Sequence, residues 1–171
     1  MPANLTQALG FLIGVWLAIV LLTPLGARGD SPREATDGLA RLERELFQDV
    51  NRWRSQRHLP TLARLPSLDA VARRHSADMS VRGYLSHDTP EGRNPVDRLV
   101  AGGIDGFALA AENVGMTNRP DPNPEIFQGW LASPDHYENL IAPVFNATGV
   151  GIARRSDGTL FYTQVYVTFP R

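Results

Sequence analysis

Residues 130–140 read WLASPDHYENL, a tryptophan followed closely by a helix-start signal. Ser133-Pro134 is a natural helix start: a serine oxygen can accept from the first free backbone amides, and proline at the first helical position has no N–H to waste. The pair predicts a helix carrying His136 in its first turn, with Ser133 as cap. Trp130, just upstream, is expected to anchor the core. Pro124 to Leu131 reads as a further helix. Downstream, Val150 to Ala153 and Phe161 to Phe169 are strand-like, and Ser156-Asp157-Gly158 between them is a hairpin turn. Gly149-Val150-Gly151 opens the first of these strands and lacks the third glycine of a dinucleotide-binding turn.

Toward the N-terminus, Leu39, Leu42, Leu46, Val50 and Trp53 recur at three- and four-residue steps. They form the apolar stripe of an amphipathic helix with Arg41, Glu43, Arg44 and Glu45 on its wet side. His58 to Pro66 is a connector. Ser67 is positioned to cap a second helix, with Leu68, Val71, Ala72, His75 and Met79 facing inward and Gly83 stopping it. His75 lies on that apolar face and is expected to be a buried structural histidine. Ser86 to Pro95 is a loop, Pro95 to Ala101 a short helix, and Phe107 to Met116 contains a strand ending near Asn113. Helices thus flank a few late strands, which predicts a mixed sheet with helices on its faces.

Residues 8–26 are the one long uncharged apolar stretch, and the first charged side chain is Arg28. Such a run at the tip of a chain is the mark of export. Residues 1–27 are therefore read as a signal peptide, cut near Leu25-Gly26-Ala27, or as an uncleaved membrane anchor. Residues 28–38 are read as a polar linker and 39–171 as one domain. The domain is expected outside the cytoplasm, secreted, periplasmic or held at the membrane by residues 8–26.

Composition excludes several chemistries. No cysteine is present, which removes disulfides, thiolate metal sites and cysteine nucleophiles. All the basic residues are arginine, so no lysine can act as base or Schiff-base former. A net charge of -1 gives no electrostatic case for nucleic acid. There is no G-x-S-x-G elbow, H-E-x-x-H or P-loop. What remains is a set of polar residues in apolar surroundings: His75, His87, Glu112-Asn113, Ser133 to His136, and Asn139. Two neutral imidazoles and a carboxylate could hold zinc or another divalent cation with a position open for water. They could instead shuttle protons, or merely satisfy one another as a buried network. Asn113 is expected to tether backbone, and the Arg73-Arg74 and Arg154-Arg155 pairs to be solvated.

The segments Asn51-Arg52-Trp53-Arg54, ARRHSADM (72–79), Leu85-Ser86-His87, Ala111-Glu112-Asn113-Val114, WLASPDHYENL (130–140), Gly149-Val150-Gly151 and Tyr162-Thr163-Gln164-Val165 occur in an order that resembles the CAP/SCP superfamily. This is the group of cysteine-rich secretory, antigen 5 and pathogenesis-related 1 proteins, and the likeness is to its cysteine-free bacterial branch. The resemblance implies an α+β, three-layer α-β-α sandwich and a cleft where His87, Glu112 and His136 meet. It also implies a divalent cation, a lipid or a cell-wall component as ligand. The same three residues are the candidates for catalysis if the domain is a metal-assisted hydrolase. An interaction scaffold without site chemistry is the third possibility. Many eukaryotic members carry a second glutamate where this chain has Ser133, so the four-residue cluster of the family is incomplete here.

Overall fold

A computed structural model describes residues 32–170. The apolar leader at 8–26 lies outside the described residues, and among the described residues no helix is long and apolar enough to cross a membrane. The elements run α1 (Pro32–Ser55), β1 (Ala63–Arg64), α2 (Pro66–Arg82), α3 (Pro95–Ala101), β2 (Leu109–Thr117), α4 (Pro122–Ala132), α5 (Pro134–Ile141), β3 (Ala147–Arg154) and β4 (Leu160–Thr168). The sheet order is β1-β3-β4-β2, parallel at β1–β3 and antiparallel elsewhere.

Strand periodicity separates the two faces of the sheet. On β4, Leu160, Tyr162 and Tyr166 pack with Leu46, Val50 and Trp53 of α1, with Ile126 and Trp130 of α4 and with Leu140 of α5. Val165 and Val167 point the other way, into a cluster with Leu68, Val71 and Ala72 of α2 and Leu99 of α3. Every second residue goes to each side, as a pleated strand requires. The result is three layers: α1, α4 and α5 over one face, α2 and α3 over the other, as expected for an α+β sandwich.

The α2 layer lies close to the sheet because β3 offers it glycine. A Cβ on Gly149 would stand 2.2 Å from the backbone carbon of Leu68, and one on Gly151 would stand 2.0 Å from the amide nitrogen of Arg73. The spacing of two places both glycines on the same side of the strand.

Several boundaries differ from the sequence reading. Helix α1 begins at Pro32, so residues 32–38 are helical rather than linker; proline starts the helix and Glu34 complements the dipole of its first turn. α2 begins at Pro66, which puts Ser67 inside the first turn. β2 does not stop near Asn113 but pairs with β4 as far as Thr117. Glu43, assigned to the wet side of α1, is only 1% exposed.

The burial of Glu43 has a physical cause at the sheet edge. β1 pairs with only two residues of β3, so β3 beyond Thr148 is bare on that side. Glu43 Oε1 accepts from the amide of Ile152 (3.2 Å) and Asp69 Oδ1 from that of Val150 (2.9 Å). Arg64 donates to both acids, and Arg73 pairs with Glu43, so Arg73 is not simply solvated as its sequence context suggested. The opposite edge, β2, is covered in the complementary sense. Asn139 Nδ2 donates to the carbonyl of Glu112 (3.2 Å) and Trp130 Nε1 to that of Val114 (2.8 Å). Bare strand edges invite pairing with other chains, and side chains block both of these.

Candidate functional site

Glu112 and Asn113 are neighbours on β2 and so point to opposite faces of the sheet. Glu112 lies opposite Val165, on the α2–α3 side; Asn113 lies opposite Gln164, on the α5 side. The loop after α2 carries His87 to the same edge, and α5 brings His136 to it from the other layer. The site is therefore built where the two layers meet around one edge strand.

The structure brings together the three residues singled out in the sequence. His87 Nδ1 donates to Glu112 Oε1 at 3.1 Å. The rings of His87 and His136 lie 6.0 Å apart, centroid to centroid, at 61°. Because a carboxylate only accepts, this contact puts the proton of a neutral His87 on Nδ1 and leaves its Nε2 as a free lone pair. The His87 side chain is 47% exposed, whereas that of Glu112 is 1% exposed.

Arg98 of α3 completes the arrangement and was missed in the sequence. Its Nη2 donates to Glu112 Oε2 at 2.6 Å, and its Nη1 to the carbonyl of His87 at 2.6 Å. One guanidinium thus neutralises the buried acid and fixes the backbone of the histidine that the acid holds. The only available signal was a charged residue between Val96 and Leu99 on a short helix, which a solvated arginine would give equally. His75, read as structural, is buried; its Nε2 donates to the carbonyl of Ser86 (2.9 Å) and stands 3.8 Å from Glu112.

Supporting residues fall close to expectation, with one correction. Asn113 Nδ2 donates to the carbonyl of His136 at 3.1 Å and its Oδ1 accepts from Asn139, so it tethers the start of α5 as anticipated. Trp130 is 2% exposed and belongs to the core. Ser133 occupies the N-cap of α5, but its side chain makes no capping bond; its carbonyl takes the amide of Tyr137 instead. The residue also terminates α4, and this double duty fixes its backbone rather than its hydroxyl.

The electrostatics split His87 from His136. The hydrogen bond to Glu112 raises the pKa of His87 above the ordinary imidazole value. Burial, and then the charge of His87, lowers that of His136. Both oxygens of Glu112 are already engaged, and among the described residues no group of three or more His, Cys, Asp or Glu is arranged to hold a metal ion. Glu112 therefore stands behind His87 as its hydrogen-bond partner, with its second oxygen held by Arg98.

The sequence profile of the cysteine-rich secretory protein (CAP) family matches residues 47–166, which spans β2, β3 and most of β4 with the whole of the His87–Glu112–His136 edge. The chain belongs to the CAP family. Among curated proteins, this CAP domain is similar to the uncharacterized protein YkwD of Bacillus subtilis, 27% identical over 133 residues. It is also similar to the uncharacterized membrane protein YlbC of the same organism, 35% identical over 97 residues. The chain spans 49% of YkwD and 26% of YlbC, so these relatives contain much that the CAP domain described here does not. Among solved structures, an extracellular protein containing an SCP domain from Bacillus anthracis superposes with a TM-score of 0.71 at 34% identity, over 82% of this chain and 44% of that one. An outer surface protein of Borrelia burgdorferi superposes at 0.69 with 19% identity, over 76% of this chain and 94% of its own, a likeness of fold.

Proposed function

We propose that this CAP domain is an extracytoplasmic binding module whose ligand is held by the imidazoles of His87 and His136. The observation that carries the reading is the pairing of His87 Nδ1 with Glu112, which leaves Nε2 free within a ring 6.0 Å from that of His136. A carboxylate behind a histidine fixes its tautomer and raises its basicity, the usual support for an imidazole that binds a divalent cation. Such a cation, zinc for instance, would take His87 and His136 directly, keep positions for water or a ligand's oxygen, and act as a Lewis acid there. The apolar leader and the extracellular Bacillus anthracis relative support a place outside the cytoplasm.

A second reading, an apolar ligand such as a lipid chain, is favoured by a groove of about 360 Å³ beside His136. It is lined by Leu85, Val114, Met116, Ile126 and Trp130 among others. Hydrolysis is the weaker alternative, since among the described residues Glu112 is the one carboxylate hydrogen-bonded to either histidine and no hydroxyl is hydrogen-bonded to them.

Calorimetric titration with zinc tests the first reading. The wild type is expected to bind, and His87→Ala and His136→Ala should each weaken the affinity by orders of magnitude with the fold retained. Indistinguishable isotherms for all three proteins would sink the cation reading. Release of product from an ester substrate, abolished by His136→Ala, would move the domain to the hydrolases.

A further inference from the structure

Helix α5 carries His136, yet apolar contact anchors it poorly. Of its eight residues Leu140 is the one that is buried. Tyr137 is 37% exposed and meets Trp53 edge to face, 5.9 Å between ring centroids. So short a helix has little stability of its own, and its place must be set by packing or by specific hydrogen bonds. Here three side chains supply the bonds. Asn113 holds the carbonyl of His136 at 3.1 Å, and Asn139 ties the middle of the helix to the carbonyl of Glu112 at 3.2 Å.

The third is Arg54, from the Asn51-Arg52-Trp53-Arg54 segment at the end of α1, and it is 0% exposed. Its Nη1 donates to the carbonyl of Leu140 at 2.7 Å, Nη2 to that of Ala142 at 3.0 Å and Nε to that of Pro60 at 2.9 Å. Among the described residues no carboxylate pairs with it. Burying a charge without a counter-ion is costly. Three carbonyl dipoles offset that cost, and two of them belong to the C-terminal end of α5, where carbonyls lack partners within the helix and carry the negative end of its dipole. A methionine would fill similar space with no charge to bury. What the guanidinium adds is a planar fork that fixes several acceptors at once.

α5 is thus gripped at both ends, by Asn113 at His136 and by Arg54 one turn on at Leu140. With the Arg54 end released, the helix can roll and tilt about the Asn113 bond. The His136 ring stands off the backbone at that pivot, so it turns with the helix. We infer that Arg54 is a positioning residue for the site: by fixing the C-terminal end of α5 it sets the 6.0 Å and 61° between the His136 and His87 rings. It serves His136 from α1 as Arg98 serves His87 from α3. The inference rests on the reading of His136 as a group that holds the ligand.

The test compares the full-length chain, in mild detergent, with its Arg54→Gln and Arg54→Lys variants. In chelator, the ring resonances of His87 and His136 are followed by NMR, and amide hydrogen exchange is measured along α5. Both variants are expected to shift the His136 ring signals and to speed exchange over residues 137–141, with the His87 ring signals and the α2 amides as in wild type. Zinc affinity should fall about tenfold in Arg54→Gln. It should fall less in Arg54→Lys, which keeps the charge and can still meet one carbonyl. Leu68→Ala is the control, since it removes a buried side chain from the other layer. It should lower the thermal midpoint and leave both the His136 signals and the zinc affinity unchanged. If Arg54→Gln does not fold, Arg54→Lys carries the test. His136 signals identical to wild type in the folded variants, or shifted as far by Leu68→Ala, would overturn the role and leave Arg54 as a group that stabilises the fold alone. If the wild type takes no zinc, the cation reading falls, and the metal-free ring signals still decide the role of Arg54.

Discussion

His87 and His136 should report acidity in opposite directions. The pKa of His87 is raised, chiefly by its hydrogen bond to Glu112. Its contribution to stability is therefore complete below the ordinary imidazole value of 6.5 and is lost as pH rises through the folded-state value. The pKa of His136 is lowered, chiefly by burial, so its contribution is complete above 6.5 and is lost as pH falls through its folded-state value. Thermal melts in chelator at about pH 5.5 and about pH 8.5, which bracket an ordinary imidazole, separate the two. His87→Asn should destabilise the domain more at the acid end, and His136→Asn more at the alkaline end. Equal losses at both ends would show that Glu112 does not distinguish the rings. At this scale the sequence was partly legible. His87, Glu112, His136 and Asn113 stood out because polar residues in apolar stretches must have a reason to be there. Arg98 did not, because its acid partner is 14 positions away and only the fold brings them together. Glu43 was misread because its chain neighbours Arg41 and Arg44 are exposed, whereas its four-residue step from Leu39 and three-residue step to Leu46 put it on the apolar stripe, where the bare amide of Ile152 meets it.

Among the elements, the α2–β3 contact sets the thickness of one layer. Gly149-Val150-Gly151 reads in sequence as a failed nucleotide turn, and its meaning appears only when α2 is laid against it. Gly151→Ala would put a methyl carbon about where the backbone of Ala72 and Arg73 now runs. Neither backbone can yield without moving the helix, so a loss of about 3 kcal/mol or more is expected in urea denaturation, at the upper end for overpacking. Gly129→Ala, with nothing within 4 Å, should be neutral or slightly stabilising in its helix and serves as the control. A Gly151→Ala protein as stable as wild type would mean that the two layers are not in close contact. Elements with a strong period, such as α1 and β4, could be located from sequence. β1 could not, because a two-residue strand has no period, and the far end of β2 was missed because Gly115 interrupts its pattern.

For the whole molecule, the three apolar clusters of the described residues draw on every layer. A chain beginning at Pro32 should therefore fold alone and melt cooperatively. A far-ultraviolet spectrum without helix, or a broad non-cooperative melt, would show that the leader is part of the fold. In the absence of cysteine, packing, hydrogen bonds and ion pairs carry this stability without disulfides. The covering of the β2 edge has a bearing on how such a domain can diversify. Asn139 and Trp130 close that strand, and Asn113 ties α5 beside it, so the scaffold against strand-to-strand association is built from the same short segments as the cleft. A lineage altering its ligand has freedom at positions 87, 133 and 136, whose side chains hang off this frame. Change at 130 or 139 would uncover the carbonyls of Val114 and Glu112 on the edge strand, and change at 113 would loosen the start of α5, so these positions are not free in the same way.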